Sequence, residues 1–263
     1  MTDKTFIMSR RRFLTGAAVA ASSLPLSGCF DDVASRDSDI RGVLAAANSL
    51  TYRVQRQLLD TGALAPEYSA SEIRQPQRPN GTVEPQDDDY TSLAGENFRT
   101  YRLAVAGLVD SPLSLSLDEI RAMPVRTQIT RHDCVEGWSC IAKWTGTPLA
   151  GILKAAKVKP AARFVVFTCF DTMENGFDGP VRYYESIDLA DANHAQTILA
   201  YGLNDASLPV ANGAPLRVRV ERQLGYKMAK YISGIVLTDT LAAYGDGFGS
   251  YWADRGYDWF AGI

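Results

Sequence analysis

The residues best suited to chemistry in this chain lie in one stretch, residues 131–140, whose sequence is RHDCVEGWSC. The stretch holds two of the four cysteines, one of the two histidines and one of the four tryptophans. A cysteine in such a setting is a metal-bound thiolate, half of a disulfide or a small buried apolar residue. We take Cys134 as the candidate metal ligand. Arg131 and His132 are candidate catalytic residues, with anchoring of the loop by hydrogen bonds as the alternative.

The number of cysteines narrows these alternatives. We assign Cys29 to the export segment, which leaves Cys134, Cys140 and Cys169 for the mature protein. Three cysteines cannot all be paired, so at least one is free, buried or bound to a ligand. Cys140 lies six positions after Cys134, too far for a Cys-x-x-Cys site. Spacing alone therefore leaves three options open: a metal-bound Cys134, a Cys134–Cys140 disulfide and a Cys140–Cys169 disulfide.

The first residues predict export. Residues 9–14 read SRRRFL, a twin-arginine pattern, and a weakly apolar run covers residues 16–26. This run is shorter than the about 20 residues that span a bilayer, and it is typical of a signal peptide. Residues 26–29 resemble a lipobox, which would leave Cys29 lipidated, whereas cleavage after Ala20 is the competing interpretation. We expect a periplasmic protein, because signals of this type resemble those of folded, often cofactor-bearing cargo.

Composition sets limits on function. The chain has 263 residues, of which 46% are hydrophobic and 22% charged, and its formal net charge is −3. These values are ordinary for a globular protein. Without a basic excess, nothing favours binding to nucleic acid or to an anionic membrane surface. Two histidines also disfavour a zinc or haem site built from histidines alone.

Three parts are predicted along the chain. Residues 1–29 form the signal peptide, with its lipobox at the end. Residues 30–97 form a tether, a helix and an extended segment that wraps the surface, and residues 98–263 form the main domain. The helix is predicted from Ser38 or Asp39 to Gly62 by the spacing of its apolar residues. The extended segment is rich in Pro, Gly, Asp and Gln.

The main domain alternates short strands with short helices, which favours an α+β fold with antiparallel and mixed sheets. Branched and alternating residues predict strands at residues 101–106, 125–130, 163–170, 197–201, 216–220 and 232–238. Short helices are predicted at residues 116–123, 147–157 and 187–194. We expect residues 171–180 to form an acidic loop at a rim, and the aromatic tail after Leu241 to fold back over the domain.

Several motifs, taken together, resemble one known family. They are CVEGWS at 134–139, WTGTPL at 144–149, NGAPLR at 212–217, GYK at 225–227 and Lys230. In this order they resemble the molybdopterin-binding oxidoreductase domain of the sulfite oxidase family, and within it the periplasmic methionine sulfoxide reductases. The resemblance extends over roughly residues 101–239 and implies the sulfite-oxidase-type fold.

The resemblance also implies a cofactor, a molybdenum bound by one molybdopterin and by the thiolate of Cys134. Further residues would bind the pterin and its phosphate: Asn80, Cys169, Asn212, Arg217, Met228, Ala229 and Lys230. Arginine, lysine and main-chain amides suit a phosphate, and an asparagine suits pterin edges. Two positions depart from the family pattern. Cys169 stands where the reductases carry threonine, and Asn80 is the candidate for an asparagine contact that is not cleanly matched.

The activity implied by the resemblance is two-electron oxygen-atom transfer on a sulfoxide or another small molecule. The chain has no Cys-x-x-Cys-His haem motif, so a separate redox partner would exchange the electrons, and the resemblance suggests a membrane haem protein. Sulfite oxidases follow their ligand cysteine with Gly-Asn-Arg-Arg, whereas VEGW follows Cys134. Sulfite oxidation is therefore an alternative, as is a cofactor-free binding lipoprotein of the same fold. We expect a monomer, because little sequence follows the domain.

Overall fold

The computed structural model describes residues 39–58, 60, 62–176 and 179–263. The twin-arginine segment, the lipobox and Cys29 lie outside these residues. A boundary between two compact units lies between residues 47 and 48. Helix α1 covers Asp39–Leu58 and ends before Gly62, in agreement with its apolar spacing. Among the described residues, no helix combines the length and the apolar character needed to cross a membrane.

The other described helices are short, with eight residues or fewer. They are α2 (Asp88–Gly95), α3 (Leu117–Arg121), α4 (Leu149–Ala156) and α5 (Leu189–Ala192). Helix α3 begins with the predicted capping box, in which Ser116 and Glu119 bond to each other's main-chain N–H groups. Single turns of 3-10 helix occur at Ala70–Glu72, Val210–Asn212, Gly225–Lys227 and Ala253–Arg255.

The strands form two sheets. They are β1 (Arg102–Gly107), β2 (Leu113–Ser116), β3 (Arg126–Cys134), β4 (Trp138–Pro148), β5 (Phe164–Gly176), β6 (Gly179–Asp188), β7 (Ile198–Leu203), β8 (Ala206–Ser207), β9 (Arg217–Arg219) and β10 (Ile232–Thr238). The first sheet has the order β2-β1-β10-β5-β6, and the second has the order β3-β4-β7-β8 with β9 paired to β7. Strands β1 and β10 run parallel, and the other pairs of described strands are antiparallel. The predicted α+β class with mixed sheets is confirmed.

The main core contains side chains of the first sheet, of helices α3 and α4, and of β7 and β9 in the second sheet. Leu103, Phe167 and Ile235 of the sheet and Ile152 of α4 are almost fully buried within it. Each such side chain contributes about 2 kcal/mol to stability through removal of apolar surface from water. A smaller cluster of buried apolar side chains, centred on Trp144, lies on the second sheet. The two sheets are thus held rigidly enough to position side chains at their ends.

The segment between α1 and β1 runs along both sheets. Its main chain donates hydrogen bonds from Tyr68 to Ile129 (2.9 Å) and from Arg74 to Ile141 (3.0 Å). Further on, the carbonyl of Thr82 accepts a hydrogen bond from the Tyr231 hydroxyl at 2.8 Å. These contacts hold residues 80–82 beside the start of β10.

The predicted acidic loop at residues 171–180 is wrong. Strand β5 continues through Asp171 to Gly176 and pairs with β6, with Thr172 opposite Arg182. Register shifts interrupt this ladder between Thr168 and Glu174. Acidic residues are compatible with a strand here because the ladder bonds main-chain groups and Glu174 is exposed. Beyond β10, the aromatic tail folds back as expected, and the Trp259 indole donates to Ser186 Oγ of β6 at 2.8 Å.

Candidate active site

A tight hairpin presents Cys134. Strand β3 ends at Cys134, which lies opposite Trp138, the first residue of β4. Gly137 closes the turn with a φ of +83°, and its N–H donates to the Cys134 carbonyl at 3.0 Å. A side chain larger than glycine is disfavoured at this φ. The hairpin therefore holds the cysteine at a rigid corner rather than on a free loop.

Cys134 lines a pocket that is open to solvent. The lining residues come from six parts of the chain: Asn80, Gly81, Thr82, Cys134, Val135, Glu136, Asp171, Met173, Tyr183, Gly225, Tyr226, Met228, Lys230, Trp252 and Tyr257. The apolar and aromatic members outnumber the charged ones, which is typical of pockets for small molecules. Of the predicted site residues, Cys134, Asn80, Met228 and Lys230 are brought together here.

The Cys134 side chain is a protonated thiol in the protein alone. Burial raises its pKa, while main-chain N–H groups of Glu136 and Val135 partly oppose that rise. A bound metal would secure the thiolate form directly. Cys134, Cys140 and Cys169 are all free, so the described residues contain neither of the disulfides considered above. Within the described chain, no three His, Cys, Asp or Glu side chains are grouped to hold a metal ion.

His132 lies on the same side of β3 as Cys134 but is buried, with only 1% of its surface exposed. The Arg219 guanidinium donates to its Nδ1 at 2.9 Å. Because a guanidinium can only donate, the ring proton must be on Nε2. Nε2 has no partner in the structure and lies against Gly225, where an added Cβ would collide with the ring. Burial, followed by the charge of Arg219, holds the pKa of His132 well below its usual value, so the ring is neutral.

Arg131 does not enter the Cys134 pocket. Successive side chains of a strand point to opposite faces, so Arg131 and Asp133 face away from His132 and Cys134. Arg131 Nε bonds to Asp133 Oδ2 at 2.9 Å, and both residues line a different pocket near Pro66 and Ile263. The interpretation of Arg131 as a catalytic residue beside Cys134 is corrected, because strand alternation points its side chain to the opposite face.

Two buried cations beside the pocket have no carboxylate bonded to them. Arg217 donates to the carbonyls of Asn212 (2.9 Å) and Met228 (3.5 Å), and its Nε has no partner. Lys230 donates to the carbonyls of Thr82 and Ala211. Within the described residues neither cation forms a salt bridge. Burial lowers the pKa of Arg217 to about 9 and that of Lys230 to about 7, which marks both charges as poorly compensated.

Gly213 allows these two cations to approach each other. It has a φ of +114°, and a Cβ there would lie 2.9 Å from Lys230 Cγ and 3.2 Å from Arg217 Cβ. Next to it, Asn212 is buried, and its amide Nδ2 has no partner. Ala229 is buried in the main core between these residues, and its carbonyl accepts from the Val218 N–H. The predicted set Asn212, Arg217, Met228, Ala229 and Lys230 is therefore one contiguous cluster.

Cys169 is not part of the pocket lining. It is 1% exposed, belongs to the main core and has a pKa held well above the usual value by burial. Asp171 and Met173, two and four residues further along β5, line the pocket instead. Asp171 was missed because the sequence placed it in a loop. Its Oδ1 has no partner, and burial raises its pKa to about 6 against the opposing charge of Lys230.

These observations fit an anionic, polar cofactor. Arg217 and Lys230 provide buried positive charge that awaits an anion, and such pairs are the usual partners of phosphate. The unpartnered atoms Asn212 Nδ2, Arg217 Nε and His132 Nε2 are hydrogen-bond donors near the same pocket. A molybdopterin group would need a thiolate for its metal and donors for its phosphate and pterin. The residues present supply both.

Comparison with known proteins agrees with this chemistry. A family model described as the oxidoreductase molybdopterin binding domain matches residues 91–243, more than half of the chain. Azospira oryzae has a protein named "Putative protein-methionine-sulfoxide reductase subunit YedZ1". It is 35% identical over 254 residues, which cover 97% of this chain and 88% of the relative.

Two further proteins carry the name protein-methionine-sulfoxide reductase catalytic subunit MsrP. That of Ralstonia nicotianae is 29% identical over 91% of this chain and 71% of its own length. That of Campylobacter jejuni is 34% identical over 56% of this chain and 52% of its own length. Among solved structures, the sulfane dehydrogenase SoxCD from Paracoccus pantotrophus aligns with a TM-score of 0.48 at 21% identity, over 54% of this chain and 39% of that chain.

Proposed function

Because this chain belongs to the oxidoreductase molybdopterin-binding domain family, we propose that it is a periplasmic molybdenum enzyme that reduces sulfoxides. The observation that carries the proposal is that Cys134 and Lys230 line one pocket and that a second buried cation, Arg217, lies beside it. Neither cation is bonded to a carboxylate among the described residues. Relatives named protein-methionine-sulfoxide reductases support methionine sulfoxide as the substrate class.

The residues of this chain divide the work of binding the cofactor. Cys134 is the protein ligand of the metal. Arg217 and Lys230 balance the negative charge of the phosphate, and Asn212 donates its free Nδ2 hydrogens to the cofactor. His132 can donate from Nε2, and residue 225 must be glycine because a Cβ there would collide with the imidazole ring. When bound, the molybdenum–molybdopterin group supplies the two-electron redox change that oxygen-atom transfer requires.

Sulfoxide reduction consumes two electrons and two protons and releases a thioether and water. Asp171 is placed to hold one of those protons. Its carboxyl lines the pocket, its Oδ1 is unpartnered, and its pKa of about 6 lies near the range where a general acid is effective. The electrons come from a separate redox protein, for which a membrane haem protein is our proposal.

The charge of the pocket favours a neutral sulfoxide over sulfite. The lining contains two carboxylates, Glu136 and Asp171, and one cation, Lys230. With Lys230 engaged by the cofactor phosphate, Glu136 and the ionised form of Asp171 would repel a sulfite dianion, whereas a neutral sulfoxide would not be repelled. Arg131, which could have bound an anionic substrate, lies on the opposite face of β3. We therefore keep sulfite oxidation only as the outcome that the assay below can reveal.

The proposal is tested with protein produced in cells that make the cofactor. We expect near-stoichiometric molybdenum and pterin in the purified protein, and turnover of methionine sulfoxide but not sulfite. Replacing Cys134→Ala should abolish turnover and remove the thiolate contribution to the visible spectrum. Cys140→Ala is the matched control, a second buried cysteine on the same hairpin that does not line the pocket. Wild-type protein without molybdenum, or an unchanged Cys134→Ala enzyme, would contradict the proposal.

Localisation and assembly follow from the sequence and need their own measurement. We propose export by the twin-arginine signal at residues 9–14, either with a lipid on Cys29 or with cleavage after Ala20. Mass spectrometry of the mature N-terminus distinguishes the two, because only the first leaves an acylated cysteine. We propose a monomer, and light scattering of the loaded protein measures its mass.

A further inference from the structure

Part of the pocket wall comes from residues beyond the matched family region. The family match ends at residue 243, yet Trp252 and Tyr257 of the tail line the Cys134 pocket. They were not among the residues that the sequence motifs singled out. The activity alone does not explain why a tail should supply aromatic rings to this pocket.

The rings of this wall form a continuous aromatic surface. Tyr257 packs edge-on against Tyr226 at a centroid distance of 5.3 Å and contacts Trp252 at 5.1 Å. Trp252 in turn packs edge-on against Tyr251 at 5.2 Å. Tyr257 is 40% exposed, so the surface reaches solvent at the pocket mouth. Tyr226, at its inner end, is held by a hydrogen bond from its hydroxyl to the Asp258 carbonyl at 2.7 Å.

The tail is fastened in place before any ligand binds. Glu174 of β5 accepts hydrogen bonds from the Tyr251 hydroxyl (2.6 Å) and from Arg255 (2.6 and 2.9 Å). On its other side, Asp254 accepts from the Tyr184 hydroxyl at 2.6 Å and from the Phe248 N–H at 3.2 Å. These bonds connect the tail to β5 and β6, so the rings are preorganised rather than loosely draped over the pocket.

A second glycine position supports a built wall. Gly245 has a φ of +53°, and a Cβ there would collide with Asp254 Oδ2 and with the Tyr184 hydroxyl. The tail thus passes too close to these groups for any side chain. The Asp254 carboxylate therefore fixes both the path of the tail at Gly245 and the turn that carries Trp252.

From this arrangement we infer that Trp252 and Tyr257 determine substrate specificity by binding the apolar group next to the sulfoxide sulfur. The inference rests on the proposed function and deepens it. Methyl and sulfur groups make favourable contacts with aromatic edges and faces, and Met173 adds a flexible thioether to the same lining. The charged lining residues come from other elements, so the tail contributes an apolar surface. The preferred substrates are sulfoxides with an apolar substituent larger than methyl, which includes the ethylene arm of methionine sulfoxide.

Equilibrium binding tests the inference without turnover. The probes are methyl phenyl sulfoxide and dimethyl sulfoxide, bound to the cofactor-loaded protein and followed by ligand-observed NMR. We expect Trp252→Ala and Tyr257→Ala each to weaken binding of the phenyl probe about three- to tenfold, the size of an aromatic contact. The small probe should change by less than twofold. Phe248→Ala is the matched control, an exposed tail ring outside the lining.

A second variant guards against unfolding. Tyr257→Leu keeps apolar volume without the ring and should recover part of the affinity that Tyr257→Ala loses. Equal affinities in Tyr257→Ala, Trp252→Ala and Phe248→Ala, or equal losses for both probes, would overturn the inference.

Steady-state kinetics separate this inference from the proposed function. With methionine sulfoxide, the two tail variants should raise KM with little change in kcat, because the rings act on binding. If the wild type binds the phenyl probe selectively but reduces no sulfoxide, the proposed reaction is wrong, and the proposed binding role of Trp252 and Tyr257 is retained. If the wild type reduces sulfoxides and both variants keep its KM for every substrate, the proposed reaction is retained, and the binding role of Trp252 and Tyr257 is wrong.

Discussion

Arg217 and Arg219 lie two residues apart on β9, and they differ in whether a carboxylate is bonded to them. Both are almost fully buried, and both lie over the ring of Trp144, at 5.0 and 4.3 Å from its centroid. Arg219 forms two hydrogen bonds with the Glu221 carboxylate, at 2.9 and 2.6 Å. Among the described residues, Arg217 bonds only to main-chain carbonyls. The charge of Arg219 is therefore neutralised within the fold, whereas Arg217 is a buried cation that is available to bind an anion.

The largest expected effect comes from breaking the paired arginine. Arg219→Met leaves Glu221 buried with Gln128 as its remaining partner. We expect the free energy of unfolding to fall by about 3–5 kcal/mol, as is usual when one member of a buried ion pair is removed. Chemical denaturation of protein without cofactor measures it. A loss below about 1 kcal/mol would mean that the pair does not stabilise the fold.

The matched change on the same strand should behave in the opposite way. Arg217→Met removes an uncompensated charge, so the free energy of unfolding without cofactor should change by no more than about 1 kcal/mol. Retention of the cofactor should fall about 10- to 100-fold, because a phosphate partner is lost. Dialysis followed by molybdenum and pterin analysis measures retention. Equal retention in both arginine variants would remove the distinction between them.

Lys230 should make the stability of the cofactor-free protein depend on pH. Its folded pKa of about 7 lies below the ordinary lysine value near 10.4, so the unfolded chain binds more protons between these pH values. The stability of the wild type should therefore rise between pH 7 and 9, by about 2 kcal/mol relative to Lys230→Met. Denaturation at each pH gives this difference. In the cofactor-loaded protein, the difference in unfolding free energy between the wild type and Lys230→Met should no longer depend on pH. A difference that does not depend on pH in the cofactor-free protein would contradict the prediction.

The smallest expected effect is that of Arg131→Met. Arg131 is half exposed and paired with Asp133 on the face of β3 away from Cys134. Surface pairs of this kind contribute about 0–1 kcal/mol, so the unfolding free energy should hardly change. Cofactor retention and KM for methionine sulfoxide should equal those of the wild type. A large rise in KM would restore Arg131 to the substrate site.

Much of the fold follows from local pattern in the sequence. Helix α1, the capping box at Ser116 and strand β10 are where apolar spacing and capping residues place them. These elements depend on neighbours three or four residues apart along a helix, or two apart along a strand. The strand at residues 171–176 was missed because its stability comes from main-chain pairing with β6, which no local pattern reveals.

The site was predicted only in part, because local motifs reveal some of its residues and long-range contacts place the others. Cys134 and the cluster from Asn212 to Lys230 were found as motifs, and the structure brings them together. Arg131 was misplaced because it was grouped with its neighbour His132, whereas strand alternation points the two side chains to opposite faces. Trp252 and Tyr257 were missed because a tail reaches its position only through long-range contacts such as Glu174 with Arg255.

The position of β10 has a consequence for how the chain folds. Strand β10 lies in the middle of its sheet, between β1 and β5, and its parallel partner β1 pairs Ala104 with Gly234. No stretch of chain emerging before β10 can complete that sheet or close the core beneath it. Because such distant pairings carry a large loop-closure cost, we expect folding to be slow and the sheet to form only after β10 has been synthesised.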